Sequence, residues 1–420
     1  MISRIFMPEK GNTMKKMYMW TVMAGLIYAG SSFVMTIATS NLLGAYVAGI
    51  YIYAANTMGN QLATVGLFNT RMFQTSDVTE QYSFADYIGL RIFSVGAMLL
   101  YGAIWILMRG SSGEELIVII AFVVFKACEA VSDLFEGRYQ QMHRYDVSCR
   151  GVFYKTLLNI GVFLVTMIVT KSLLWAAVAL MIVYLASIVI IDGSLLPKFG
   201  KINFKIDWHK QGKLIAECSP LFVNSFLTMY VLNAAKYPIE EYYGKPYLTK
   251  FNSLYMMAFV INMFAAFALK PLITVLSDKY LKGDKKGFVK IMQRQLLVIM
   301  VIIALALVGA WFLGTTIITW ISGVDVMAYR NELCIVLIGG AFTAIYQLFQ
   351  YGLIIMRHQL SCLIGSVITA VVTWFITPVL TREYGMMGAA VAFLCSMAFM
   401  SLILFILNWY FLKKEVPANE

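Results

Sequence analysis

Residues 116–133 read LIVIIAFVVFKACEAVSD, an apolar run in which three charged side chains are embedded. The apolar part is long enough to enter a lipid bilayer as a helix. Lys126, Glu129 and Asp133 follow one another at spacings of three and four residues, so a helix places all three on one face. Because a charge at membrane depth is costly and rarely faces lipid, we expect this face to look into the protein or into a wet cavity.

The polar face of this helix has two interpretations. Lys126 and Glu129 can form a neutralised pair that holds helices together. Alternatively, Lys126 can form a cationic site for an anionic headgroup, with Glu129 as the carboxylate that releases the headgroup or competes with it. Asp133 is expected near the inner end of the helix, where water can reach it. Glu129, Asp133 and Glu217, an acidic residue of a later apolar run, are candidates for coupling to an ion.

The composition of the chain indicates a membrane protein with many spans. Of 420 residues, 60% are hydrophobic and 13% are charged, and the mean hydropathy is +0.75. A soluble domain has about 25% charged residues, and here long apolar runs recur from one end to the other. The net charge of +11 indicates Lys and Arg in cytoplasmic loops rather than nucleic-acid binding.

The apolar runs predict an all-α polytopic protein with about twelve transmembrane helices. Each run is long enough to cross the bilayer as a helix, allowing for tilt. The predicted spans are 17–40, 45–69, 87–108, 116–136, 152–170, 172–194, 214–236, 251–276, 292–320, 333–356, 360–380 and 386–411.

The distribution of Lys and Arg predicts the orientation of these spans. With the N-terminus inside, 23 of the 33 Lys and Arg residues lie on the inner side and seven lie on the outer side. This bias places both termini in the cytoplasm. The remaining three, Arg91, Lys126 and Lys270, lie within spans.

The twelve spans are predicted to form two lobes of six helices. The longest polar interval, 195–213, falls between spans six and seven, and we interpret it as a cytoplasmic linker. It separates an N-terminal lobe, residues 1–200, from a C-terminal lobe, residues 214–420. A parallel repeat supports this division, because VSC at 147–149, where span five opens, recurs as LSC at 360–362, where span eleven opens, and AAVA recurs at the same offset of 213 residues.

Other charged residues of the spans are candidates for contacts with a substrate. Arg91 begins span three and either reaches the inner surface or faces a cavity. Lys270 precedes Pro271 in span eight, and Glu217 lies close to Pro220 in span seven. Each proline removes an amide donor, so Pro220 and Pro271 are candidates for a hinge or for a fixed kink.

Sequence motifs of enzymes are missing. The chain has no GxxxxGK[ST] loop for binding ATP, and its three histidines fall in predicted inner loops. No outer loop is long enough for a catalytic domain, and no acid and base converge there. The six cysteines are dispersed without a CxxC pair. We therefore expect a protein that is not an enzyme and that holds no disulfide framework, no metal and no organic cofactor.

Three stretches resemble bacterial polysaccharide flippases. Residues 39–53, TSNLLGAYVAGIYIY, are similar to the turn between the first two spans of those proteins, although Asn41 stands where the family often has arginine. Residues 71–87 are similar to the first cytoplasmic loop of a Wzx-like branch, and residues 136–144 are similar to the loop after span four. The resemblance implies the multidrug/oligosaccharidyl-lipid/polysaccharide (MOP) exporter superfamily, with a MATE-like fold of two six-helix bundles around a central cavity.

The resemblance also implies a function. Such proteins move lipid-linked glycans from the inner to the outer leaflet by alternating access, driven by an H⁺ or Na⁺ gradient or by the membrane potential. The implied substrate is an oligosaccharide repeat unit on undecaprenyl diphosphate, made for capsule, O-antigen or a similar polymer. The implied location is the bacterial cytoplasmic membrane, with a polysaccharide polymerase and glycosyltransferases as partners. Lys126, Arg91 and Lys270 are the cations available to neutralise the diphosphate.

Two other functions stay open. A cation-coupled multidrug exporter of the same superfamily predicts a cavity dominated by acidic residues, and lysine beside those residues argues against it. An integral-membrane transferase or ligase acting on a lipid-linked glycan predicts product formation without translocation, and the short outer loops argue against it.

Overall fold

The computed structural model describes residues 6, 14–77, 80–199 and 208–414, without the side chains at 14–15, 208–209, 264–271 and 273–274. Twelve long helices, α1 to α12, make up most of this part of the chain. In the first half they are α1 (14–43), α2 (45–67), α3 (Phe84–Arg109), α4 (Gly113–Gln141), α5 (Tyr145–Thr170) and α6 (Leu173–Ser187, continued by turns to residue 199). In the second half they are α7 (Trp208–Asn233), α8 (Lys245–Leu281), α9 (Lys285–Gly309, continued to residue 322), α10 (Arg330–Ile355), α11 (359–384) and α12 (386–414).

The twelve helices correspond to the twelve predicted spans, so the predicted all-α architecture of a multi-pass membrane protein is confirmed. Within the described residues, eight segments are long and apolar enough to cross a membrane. Two of these segments, 16–76 and 359–414, each contain two of the long helices. Two short helices, Thr70–Ser76 and Lys236–Tyr243, follow α2 and α7 respectively.

Glycine separates α1 from α2 and α11 from α12. The hydrogen-bonded stretches 14–51 and 359–414 are each interrupted at one glycine: Gly44 has φ 85° and ψ 171°, and Gly385 has φ 61° and ψ −134°. A Cβ atom strongly disfavours such a backbone conformation, so these positions favour glycine. Each glycine therefore allows the chain to turn between two membrane helices without a long loop.

The chain divides into two compact units, residues 1–226 and 227–420. In unit 1, α5 packs along α1 and α2, and α4 contacts α2, α3, α5 and α6. In unit 2, α10 packs against α8, α9 and the stretch formed by α11 and α12. Since α4 touches four neighbouring helices, charges in its middle part are placed against the interior of unit 1.

The boundary between the units lies inside α7, after residue 226. The earlier part of α7 packs in unit 1, where Cys218 is buried and Asn69, which follows α2, donates a hydrogen bond to the Leu221 carbonyl at 2.7 Å. The predicted linker, 195–213, lies partly outside the described residues. The predicted C-terminal lobe begins at residue 214, inside α7, and unit 1 extends to residue 226.

Replacing Gly44 with alanine tests the turn between α1 and α2. We expect Gly44→Ala to lower the free energy of unfolding by roughly 1–3 kcal/mol, because alanine must adopt a backbone conformation reserved for glycine. The measurement is the thermal unfolding midpoint of the purified protein in detergent. Gly30→Ala is the matched control in α1, because a Cβ atom there meets open space and alanine favours the helix. Equal midpoints for the two variants would contradict this role of Gly44.

Candidate functional site

The face of α4 predicted from the sequence carries four charges. Lys126, Glu129, Asp133 and Glu136 recur at spacings of three, four and three residues along this helix. The neighbouring turns present small residues, including Ala127 and Ala130, which allow the other helices to approach closely. The four charged side chains therefore point into unit 1, where their partners decide what they can do.

Lys126 and Glu129 pair with each other. The Lys126 Nζ atom lies 2.7 Å from the Glu129 Oε2 atom, and only 11% and 16% of the two side chains are exposed. The aliphatic stem of Lys126 runs past Gly59 of α2, whose missing side chain leaves room for it. The pair joins two turns of one helix rather than two helices. It is partly accessible, so an anion that reaches it can compete with the carboxylate.

Asp133 bridges two arginines. Its two carboxylate oxygens lie 2.9 Å from Arg71 Nη1 and 3.0 Å from Arg91 Nη2. Arg71 belongs to the short helix after α2, and Arg91 belongs to α3. Arg91 is 2% exposed and also donates to the carbonyl of Gly66, so it is held inside unit 1 rather than reaching the surface. Asp133 therefore connects three elements through one carboxylate.

The line of ion pairs continues beyond Arg71. The Glu136 carboxylate lies 3.1 Å from both Arg71 Nη1 and Lys155 Nζ, and Lys155 Nζ lies 3.1 Å from Asp192 Oδ2. Lys155 and Asp192 are each 1% exposed. Cations and carboxylates thus alternate from Arg91 to Asp192. We call these six residues the charge chain of unit 1: Arg91, Asp133, Arg71, Glu136, Lys155 and Asp192.

The charge chain is formally neutral, with three cations and three carboxylates. Neutral polar groups add hydrogen bonds to it: Ser148 accepts from Arg71 at 3.1 Å, and Ser132 donates to Asp192 at 3.2 Å and accepts from Lys155. Ionised groups in a low-dielectric interior are tolerated when they are paired and hydrogen-bonded in this way. The charge chain thus connects α3, α4, α5, α6 and the short helix after α2.

The sequence did not reveal four members of this chain. Arg71 and Lys155 belong to the 23 Lys and Arg residues predicted on the inner side, and Glu136 and Asp192 are not among the predicted site residues. Glu136 carried a usable signal, because it lies three residues after Asp133 on the same face of α4. Asp192 lies in predicted span six, where a carboxylate is itself unusual.

Glu217 lies away from the charge chain. It accepts a hydrogen bond from the Tyr82 hydroxyl at 3.0 Å, its carboxylate lies 3.8 Å from Lys213 Nζ, and 38% of its side chain is exposed. Burial, together with the hydrogen bond to Glu217, raises the pKa of Tyr82, which precedes α3, to about 12. Pro220 lies inside α7, which stays helical around it. The side chains of Lys270 and Pro271 lie outside the described residues.

Unit 2 contains a buried lysine, Lys236, whose neighbour is an aromatic ring rather than a carboxylate. Lys236 is 4% exposed, and its Nζ atom lies 4.2 Å from the centroid of the Tyr255 ring. Nearby, Lys245 and Glu240 form a buried ion pair at 3.0 Å. Among the described residues, no carboxylate forms an ion pair with Lys236.

Most buried carboxylates of the described chain pair with a cation. In addition to the charge chain, Glu129 pairs with Lys126, Asp146 with Arg144 and Glu240 with Lys245, while Asp86 accepts hydrogen bonds from the amide and hydroxyl of Ser83. Asp86 is thus a buried carboxylate without a cation, and its Oδ1 atom has no hydrogen-bond partner among the described residues.

Lys155→Met tests whether the charge chain stabilises unit 1. We expect a loss of roughly 3–5 kcal/mol in the free energy of unfolding, because Asp192 and Glu136 are left without this cation in a buried position. The measurement is thermal or denaturant unfolding in detergent. Lys213→Met removes a lysine that is 62% exposed, and we expect it to change the free energy by less than about 1 kcal/mol. Similar losses in both variants would contradict a stabilising role for the buried pairs.

Comparison with solved structures identifies the fold. The chain is similar to a multidrug resistance MATE family transporter of the MOP superfamily in its inward-facing conformation, with 13% identity, a TM-score of 0.63 and coverage of 98% of this chain and 97% of that one. An outward-facing structure of such a transporter has 12% identity and a TM-score of 0.62, with coverage of 99% of this chain and 96% of that one. A MOP superfamily transporter from Pyrococcus furiosus, described as having a binding pocket of reverse polarity, has 11% identity and a TM-score of 0.58. The match covers 98% of this chain and 95% of that one.

The sequence itself matches no protein-family model and no curated protein. The likeness is therefore one of three-dimensional structure, and it extends over nearly the full length of every chain compared. The predicted MATE-like fold is confirmed: the chain has the fold of the MATE transporters of the MOP superfamily.

Proposed function

We propose that the protein is an exporter of the MOP superfamily that moves an undecaprenyl-diphosphate-linked oligosaccharide from the inner to the outer leaflet. The fold supports transport, because solved structures with this fold are transporters captured in inward-facing and outward-facing conformations. Alternating access by such a pair of states needs no ATP-binding motif, and the sequence has no GxxxxGK[ST] loop.

The ion pairs that most buried carboxylates already form favour an anionic substrate over a cationic one. An exporter of organic cations needs a buried or half-buried carboxylate that is free to pair with its substrate. In the described residues, Glu129, Asp192 and Glu240 are each already paired with a lysine. The binding pocket of reverse polarity described for the Pyrococcus furiosus transporter supports the idea that this fold accommodates different pocket charges.

Lys126 is the cation that we assign to the diphosphate of the substrate. Its ammonium group is 2.7 Å from Glu129, and both side chains keep some exposure. A diphosphate carries more negative charge than one carboxylate, so it competes with Glu129 for Lys126. Glu129 then returns to Lys126 when the headgroup leaves. Arg91 is already held by Asp133 and Gly66, so we assign it to support of α4, and Lys270 remains a second candidate contact.

The proposed location is the cytoplasmic membrane of a bacterium, with both termini inside. Glycosyltransferases on the inner side would supply the lipid-linked repeat unit, and a polymerase on the outer side would consume it. An H⁺ or Na⁺ gradient or the membrane potential would supply the driving force.

Reconstitution in liposomes tests this function directly. Purified protein receives a fluorescent undecaprenyl-diphosphate oligosaccharide, and the label in the outer leaflet is quenched chemically. We expect translocation above that of protein-free liposomes. Uptake of organic cations without movement of the glycolipid would support the multidrug exporter instead. Formation of a glycan product without movement would support a transferase or ligase.

Variants of the Lys126–Glu129 pair locate the headgroup in the same assay. We expect Lys126→Ala to lower the translocation rate at least about tenfold, which corresponds to about 1.4 kcal/mol of lost interaction. We expect Glu129→Gln to bind the glycolipid more tightly, because it removes the competitor of the diphosphate. The double variant Lys126→Ala/Glu129→Gln separates the two interpretations. Restored translocation would assign the pair a structural role and contradict a headgroup contact at Lys126.

A further inference from the structure

Lys236 occupies an unfavourable position for a charged side chain. It is the first residue of the short helix Lys236–Tyr243, which connects α7 to α8. A helix start carries a partial positive charge, which repels an ammonium group. The side chain is also 4% exposed, so the ammonium group has lost nearly all of its contact with water. Both conditions destabilise the charged form of Lys236 relative to the neutral amine.

The partner of Lys236 is the face of an aromatic ring. Its Nζ atom lies 4.2 Å from the centroid of Tyr255 in α8. The ring is fixed by Phe393 of α12, at 5.2 Å between centroids, and by Phe251 of α8, at 6.5 Å. A ring face attracts a cation through its quadrupole, but the attraction is weaker than that of a carboxylate. Tyr255 therefore accepts the ammonium group without locking it in the charged form.

The other charges on the surrounding elements are engaged elsewhere or exposed. On the same short helix, Glu240 pairs with Lys245 of α8 at 3.0 Å, and Glu241 is exposed. Lys250 of α8 lies over the rings of Tyr247 and Tyr329. At the turn between α11 and α12, charged residues are exposed: Arg382 and Glu383. The nearby phenols are those of Tyr230, Tyr237 and Tyr255. Among the described residues, none of these groups forms an ion pair with Lys236.

We propose that Lys236 is the proton-binding site of unit 2 and couples transport to a proton gradient. This proposal rests on the proposed transport function. In the conformation described here the amine is sealed against an aromatic ring and releases its proton. In a conformation that admits water to the short helix, the amine binds a proton again. In each transport cycle, Lys236 thus binds one proton and releases it, and no other bond forms or breaks.

The direction of the pH dependence follows from burial. Burial lowers the pKa of Lys236 from its ordinary value of 10.5 to about 7. Between these two values a hydrated state binds the proton and the buried state does not, so the buried state gains stability as the pH rises. Acidification towards pH 7 favours the hydrated state, by up to tenfold for each pH unit. Below about pH 7 both states are protonated and the bias stays constant.

Direct titration of the lysines tests the proton-binding site. The full-length protein is labelled with ¹³C at the lysine ε-carbons, and its spectrum is recorded in detergent micelles across a range of pH. We expect one resonance to titrate near pH 7, to be absent from Lys236→Arg and Lys236→Met, and to persist in Lys250→Arg. Lys250 is the matched control, because it also lies near aromatic rings but is only half-buried. Persistence of that resonance in Lys236→Arg, or titration of every lysine near its ordinary pKa, would overturn the proposal.

The coupling is tested in the liposome assay with the fluorescent undecaprenyl-diphosphate oligosaccharide. We expect a pH gradient to change the wild-type translocation rate at least about tenfold. Lys236→Met, which stays neutral, and Lys236→Arg, which stays charged, should both lose this dependence. An unchanged gradient dependence in both variants would overturn the coupling while leaving the flippase function intact. If the wild type moves no glycolipid, the proposed function fails, and the titration of Lys236 still decides whether the proton site exists.

Discussion

The bridge that Asp133 forms between Arg71 and Arg91 is the interaction on which unit 1 depends. An apolar helix bundle cannot hold an isolated ion, because desolvation outweighs the contacts that one ion makes with hydrocarbon. The carboxylate of Asp133 lies about 3 Å from both arginines. The charge chain continues through Glu136 and Lys155 to the buried carboxylate of Asp192. These ion pairs thereby hold helices α3, α4, α5 and α6 together, and the charges of the chain sum to zero.

This neutrality shapes the functional interpretation. Most buried carboxylates of unit 1 pair with its own cations, and the partly exposed Lys126–Glu129 pair is the place where we propose that an outside anion enters by exchange. Unit 2 holds the buried amine of Lys236 against an aromatic ring instead of a carboxylate. The two units therefore suit different tasks in the proposed cycle. Under the proposed function, unit 1 binds an anionic headgroup by competition with Glu129, and under the further proposal unit 2 binds and releases a proton at Lys236.

The sequence predicted the fold far better than it predicted the site. Apolar runs predict helices directly, because each span must satisfy its own backbone hydrogen bonds in lipid, and the twelve predicted spans correspond to the twelve long helices of the described chain. The polar face of α4 was equally visible, since residues three and four apart share a helical face. The partners Arg71, Lys155 and Asp192 come from three other elements. Only tertiary packing brings them to α4, and no spacing along the chain encodes that packing.

The most direct measurement is a double-mutant cycle on the two ends of one pair, read as the free energy of unfolding in detergent. Asp133→Asn leaves Arg91 without its carboxylate in a site that is 2% exposed, so a large loss of stability is expected. If the charges act as one neutral chain, adding Arg91→Met to Asp133→Asn restores part of that loss. If the two losses simply add, the charges act independently, and the account of unit 1 as a neutralised charge chain is wrong.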